Sequence, residues 1–115
     1  MKPNRKVFFV DTDDAQLTFY RYWFTDEDGY YPSFFTRPQA VLLALTEEVD
    51  LIVTSHDLPK MTGLELARIA TERFPKVKII ILSEHNLRMP FPFLRKPCDL
   101  DTLCAEIERM FAAAA

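Results

Sequence analysis

The chain has 115 residues, of which 49% are hydrophobic and 27% charged, and a net charge of −3. This length suits one domain spanning residues 1–115, and the composition is typical of a folded chain rather than a disordered one. The negative charge argues against direct nucleic-acid binding, because phosphate recognition needs a clustered positive surface. No apolar stretch is long enough to span a membrane. The two cysteines, Cys98 and Cys104, are expected to be reduced thiols of a cytoplasmic protein.

Short apolar runs that end in polar residues alternate with helical patterns along the chain. The predicted strands cover 6–10, 30–35, 51–55, 77–82 and 93–95, and the predicted helices cover about 14–27, 36–48, 63–74 and 99–111. Asp13 or Asp14 is expected to cap the first helix and Gly29 to end it, while Thr36 should cap the second. Pro32 indicates that the second strand lies at an edge of the sheet.

This alternation predicts a parallel sheet with right-handed crossovers. Five strands with at most four helices predict an α/β fold, the flavodoxin-like doubly wound sheet with strand order 2-1-3-4-5.

The connection between the fourth and fifth strands is short for a parallel crossover. About nine residues separate Ser83 from Phe93, and Pro90 and Pro92 within them disfavour a helix. We therefore expect the fourth helix to be missing or reduced to a turn. One interpretation is a harmless shortening. The other is an uncovered apolar patch that contacts a protein partner or a second copy in a homodimer. The candidate contact residues are Leu87, Met89, Phe91 and Phe93.

Two segments carry a resemblance to a known family. They are DLIVTSHDLPKMTGLEL, residues 50–66, and LRKPCDLD, residues 94–101. They resemble the receiver domain of bacterial two-component response regulators, in which the third strand ends in a phosphoacceptor aspartate. That aspartate is followed by proline four residues later and glycine eight residues later. Pro59 and Gly63 place its position at residue 55, which is Ser55 in this chain.

The resemblance implies roles for four further positions. Asp11 matches the first of two acidic Mg²⁺ positions, whereas Thr12 stands at the second. Ser83 matches a hydroxyl that contacts the phosphoryl group, and Lys96 matches a lysine that does so, followed by a peptide bond that is usually cis. Mg²⁺ prefers several hard oxygen ligands, so two lost carboxylates predict weak Mg²⁺ binding at best. Because a serine hydroxyl is not ionised at neutral pH, the usual phosphorylation at Ser55 is not expected.

Asp57, two residues after Ser55, leaves alternatives open. Its carboxylate could join Asp11 in a displaced, weak cation site, or it could be a solvated loop residue. The leading hypothesis is a degenerate receiver, a pseudo-receiver without enzymatic activity. It would bind protein partners of a bacterial signalling pathway without phosphorylation. One alternative is a receiver phosphorylated at a relocated aspartate, Asp57 or Asp11, and another is a small flavodoxin-like cofactor-binding protein.

Overall fold

The computed structural model describes residues 4–113 and contains one five-stranded parallel sheet. Its strands are β1 (Arg5–Val10), β2 (Tyr30–Phe35), β3 (Leu51–Ser55), β4 (Lys78–Ser83) and β5 (Phe93–Arg95). They lie in the order β2-β1-β3-β4-β5, which confirms the predicted topology and the edge position of β2.

Helices cover both faces of this sheet. They are α1 (Asp14–Trp23), α2 (Pro38–Ala44), α3 (Gly63–Arg73) and α4 (Leu100–Ala113), with a 3₁₀ turn at Asp26–Asp28. Side chains alternate along β1, so that Val7 and Phe9 pack with α1 and α4, whereas Phe8 and Val10 pack with α2 and α3. Each central strand is therefore buried on both faces, as its continuous apolar sequence predicts. Within residues 4–113, no helix has the length and apolarity that crossing a bilayer requires.

Pro32 is tolerated because its nitrogen faces away from the sheet. The Arg5 N–H donates to Gly29 O, and the Asp11 N–H donates to Phe35 O. In this parallel register Val7 lies opposite Pro32, and the N–H groups of alternate β2 residues beginning with Tyr31 point to β1. Pro32 falls between them, on the outer edge, where a missing N–H costs no ladder hydrogen bond.

Two helix boundaries differ from the predictions. α1 ends at Trp23 rather than near 27, because Phe24 adopts an extended backbone and is buried in the core. Gly29 then ends the 3₁₀ turn with a φ of 83°, a conformation that favours glycine. α2 ends at Ala44 rather than near 48, and Arg37, not Thr36, precedes its first residue.

The β4–β5 connection, residues 84–92, contains no helix. Four helices are nevertheless present in the described residues, and the fourth in chain order, α4, follows β5. The expectation that the fold lacks its fourth helix is therefore wrong, because four helices are present. It holds only for the β4–β5 crossover, which contains no helix.

Apolar side chains of the crossover and of β5 pack on the face of the sheet beside this connection. Met89, Phe91 and Phe93 are half-buried and pack against the cluster that β1, β3 and β4 form with α2 and α3. Leu87 is also half-buried. These side chains are thus only partly covered, and a partner contact through these four residues stays a prediction.

Candidate functional site

Polar side chains meet where the parallel strands end. Asp11 follows β1, Ser55 ends β3, Ser83 ends β4 and Lys96 follows β5. Asp11, Ser55 and Ser83 have relative exposures of only 3%, 4% and 0%. Ligand and catalytic sites of doubly wound sheets lie at this carboxyl edge. Thr12, by contrast, is exposed at the beginning of the β1–α1 connection.

Lys96 links two of the predicted positions directly. Its ammonium donates a hydrogen bond of 2.9 Å to Asp11 Oδ2 and one of 3.1 Å to Ser55 Oγ. The other carboxylate oxygen of Asp11 accepts the backbone N–H of Asp13 at 3.0 Å. The Lys96–Pro97 peptide bond is cis, as the family resemblance predicts. The centre of the site is consequently a neutral ion pair with a serine hydroxyl hydrogen-bonded to it.

Ser83 belongs to a second, adjacent network. Its hydroxyl donates to Asp57 Oδ2 at 3.0 Å and accepts the backbone N–H of His85 at 3.1 Å. Asp57 itself is an exposed residue of the β3–α3 loop. In this arrangement Asp57 bonds Ser83, whereas Asp11 bonds Lys96.

The β3–α3 loop fixes the end of β3 through its backbone. Gly63 N–H donates to His56 O at 2.9 Å, and a Cβ at Gly63 would clash with the carbonyl oxygen of Ser55. Lys60 has a φ of 69°, and the Met61 N–H closes a three-residue turn onto Pro59 O at 2.8 Å. α3 then begins with a capping box in which Thr62 and Glu65 satisfy each other's backbone N–H groups.

The donor set of this edge does not fit Mg²⁺. An octahedral Mg²⁺ site needs carboxylate oxygens that are free to face the ion. Both oxygens of Asp11 are engaged, one of them by the positive charge of Lys96, and Oδ2 of Asp57 accepts a hydrogen bond from Ser83. Among residues 4–113, no group of three or more His, Cys, Asp and Glu side chains could hold a metal ion.

Three partly or fully buried side chains have perturbed acidities. Burial, reinforced by the negative charge of Asp11, raises the pKa of Tyr20 well above its usual value, so its phenol stays neutral. Burial also raises the pKa values of Cys98 and Cys104. Both cysteines are free thiols, which confirms the predicted absence of a disulfide, and their raised pKa values make them weak nucleophiles.

Sequence reasoning missed an exposed aromatic surface on α1. Three of its aromatic side chains point to solvent, namely Phe19, Tyr22 and Trp23. The available signal was an excess of apolar residues, since six of the eight residues 17–24 are apolar or aromatic and one face of a helix cannot bury them all.

The sheet order and the polar carboxyl edge are those of a flavodoxin-like doubly wound α/β protein. Residues 7–108 match the response regulator receiver domain family. The chain therefore belongs to this family, and with it to two-component signalling, in which receivers interact with other signalling proteins. This assignment favours a receiver over the alternative of a small cofactor-binding protein.

Two relatives agree with the assignment. The chain is 30% identical over 119 residues to the response regulator receiver protein CpdR of Brucella abortus, covering 95% of this chain and 99% of that protein. It is also 30% identical over 113 residues to the DNA-binding transcriptional regulator NtrC of Proteus hauseri, covering 90% of this chain. The chain spans only 24% of the length of that regulator.

Solved structures share the fold at low sequence identity. A CheY-like receiver domain protein from Methanospirillum hungatei superposes with a TM-score of 0.86 at 20% identity, covering 96% of this chain and 95% of the other. The chemotaxis response regulator CheY4 of Vibrio cholerae gives a TM-score of 0.79 at 19% identity, covering 92% and 98%.

Proposed function

We propose that this chain is a degenerate receiver domain that works as a phosphorylation-independent protein-interaction module of a two-component pathway. The observation that carries the proposal is Ser55, a buried hydroxyl at the end of β3 whose Oγ lies 3.1 Å from the Lys96 ammonium. The proposed module has no enzymatic activity of its own.

The chemistry of Ser55 disfavours phosphoryl transfer. A serine hydroxyl needs a general base before it attacks phosphorus. The only group that hydrogen-bonds Ser55 Oγ within residues 4–113 is the Lys96 ammonium, which also donates to Asp11. A group that donates to the hydroxyl oxygen does not act as the general base that takes its proton, so Ser55 stays a poor acceptor.

The electrostatics of the site also disfavours phosphoryl transfer. Phosphoryl transfer relies on positioned positive charge, usually including a metal ion, to stabilise the transferring group. Here Asp11 already neutralises Lys96, and the donor set does not fit Mg²⁺. The transferring group would therefore find little net positive charge in this site.

Phosphoryl labelling tests the proposal. The wild-type chain is incubated with acetyl phosphate and Mg²⁺, and its intact mass is followed. We expect no added phosphoryl group. A double variant, Thr12→Asp with Ser55→Asp, restores both carboxylates and serves as the matched control that should gain the label. Labelling of Ser55 in the wild-type chain would refute the proposal.

A relocated acceptor at Asp57 is the second candidate. It is favoured by the hydrogen bond of 3.0 Å from Ser83, which brings an exposed carboxylate beside a hydroxyl of the family site. Asp11 is a weaker candidate because it is 3% exposed and both of its oxygens are engaged. If the wild-type chain is labelled and Asp57→Asn is not, this second function replaces the first.

A further inference from the structure

A cavity of about 680 Å³ lies beside the amino end of the sheet, whereas Ser55 and Lys96 lie at the carboxyl end. It is lined by the first residues of β1 and β2, the end of α1, the 3₁₀ turn and one face of α4. We call it the amino-end cavity. Sites for small molecules commonly enclose about 300–1,000 Å³, so this volume suits a small organic ligand.

Two aromatic side chains of the amino-end cavity are held in place by hydrogen bonds to α4. The indole N–H of Trp23 donates to Cys104 Sγ at 3.2 Å, and the Tyr30 hydroxyl donates to Glu108 Oε1 at 2.8 Å. Burial, reinforced by Glu108, raises the pKa of Tyr30 well above its usual value, so the hydroxyl keeps its proton. Tyr30 is 7% exposed and lies at the inner end of the cavity, whereas Trp23 is 44% exposed and lies at its mouth.

The charges around the amino-end cavity are mainly negative. Its lining contains one guanidinium, that of Arg5, and three carboxylates, those of Asp28, Asp101 and Glu108. Arg5 pairs with Glu108, and its guanidinium lies 4.3 Å from the centroid of the Phe111 ring. Within residues 4–113, no group of three or more His, Cys, Asp and Glu side chains could hold a metal ion, so these carboxylates do not converge on one point. The cavity therefore attracts positive charge without offering the compact oxygen shell that an inorganic cation needs.

We infer that the amino-end cavity binds a small organic cation that carries a quaternary ammonium group. Such a group has no N–H to donate, so it needs no hydrogen bond from a carboxylate that is already engaged, as Glu108 is. Aromatic rings and the field of nearby carboxylates hold it instead, and Trp23 and Tyr30 provide the rings. This inference adds a ligand site and does not rest on the proposed interaction function.

Trp23 provides a direct reporter, because it is the only tryptophan in the chain. The probe is choline, and the matched control is 3,3-dimethyl-1-butanol, which has nearly the same shape but carries carbon in place of the charged nitrogen. Sodium chloride at equal ionic strength controls for screening. We expect choline to give a saturable change in Trp23 emission and both controls to give none. An equal saturable change with the neutral alcohol would overturn the inference.

Variants test whether choline occupies this cavity, with affinities measured by calorimetry because some of them remove the reporter. Trp23→Leu should weaken choline binding about tenfold, whereas Trp23→Phe keeps an aromatic ring and should retain most of the affinity. Asp101→Asn should weaken binding about threefold by removing one negative charge of the lining. Phe19→Leu on α1 and Glu72→Gln on α3 change exposed residues outside the lining and should leave the affinity unchanged. Circular dichroism checks that each variant is folded.

The quaternary ammonium group could belong to a free small molecule or to a lipid headgroup. Choline binding without co-sedimentation of the protein with phosphatidylcholine vesicles supports the inference and assigns a free ligand. Co-sedimentation that choline competes away supports it and assigns the headgroup. Binding of neither probe overturns it, and so does an affinity that Trp23→Leu leaves unchanged. Phosphoryl labelling of the wild-type chain refutes only the proposed function, because labelling and choline binding are measured at opposite ends of the sheet.

Discussion

The ion pair between Lys96 and Asp11 makes a strong prediction about stability. The two side chains are only 22% and 5% exposed, and their atoms Nζ and Oδ2 lie 2.9 Å apart. Lys96→Met keeps most of the aliphatic volume but leaves the Asp11 carboxylate buried without a positive partner. Breaking a buried pair in this way costs about 3–5 kcal/mol. The partial exposure of Lys96 reduces this cost, and so does the hydrogen bond that Asp11 still accepts from the Asp13 N–H. We therefore expect a loss of about 2–4 kcal/mol in the free energy of unfolding.

A double-mutant cycle separates the ion pair from the loss of packing. Urea denaturation gives the free energy of unfolding of the wild type, Lys96→Met, Asp11→Asn and the double variant. The four curves are fitted with one common m-value. The double variant removes both charges and should recover about 1–3 kcal/mol relative to the sum of the single losses. Lys76→Met, at an exposed position, is the control and should change stability by less than about 0.5 kcal/mol. A Lys96→Met midpoint equal to that of the wild type would refute this reasoning.

Three further predictions concern the loop that follows β3. Gly63→Ala should destabilise the chain by about 2 kcal/mol or more, because its Cβ meets the Ser55 carbonyl; a smaller loss on urea denaturation would contradict that contact. Lys60→Gly should raise the free energy of unfolding by about 0.5–1 kcal/mol, since φ is 69° there and glycine adopts it without strain; a lower urea midpoint would argue against strain. Asp57→Ala should lower the free energy of unfolding by about 1 kcal/mol and speed amide hydrogen exchange in residues 84–92, because Ser83 loses its acceptor. Asp57→Asn keeps an acceptor oxygen and should stay close to wild type in both measurements.

The strands were the most predictable part of this fold. β2, β3 and β5 have the predicted bounds, because short apolar runs between polar or proline-containing segments leave few alternatives. The site could also be predicted in outline, since parallel strands bring Asp11, Ser55 and Lys96 to one edge whatever the details of the loops. The contacts of Lys96 follow from that convergence.

Features that depend on loop conformation could not be predicted. The hydrogen bond between Asp57 and Ser83 requires the path of the β3–α3 loop, which sequence spacing does not specify. The half-buried state of Met89 and Phe91 likewise depends on how an extended crossover lies on the sheet. The end of α1 was missed because Phe24 continues the helical pattern although its backbone is extended.

The most direct test of the central claim is an amide NMR titration with Mg²⁺ and beryllofluoride, a mimic of an acyl phosphate. In the wild-type chain we predict no saturable shifts at Asp11, Ser55, Ser83 or Lys96, because residue 55 offers no carboxylate and Asp11 is held by Lys96. Saturable shifts at these four residues would mean that the site still captures a phosphoryl group, which would contradict a phosphorylation-independent receiver.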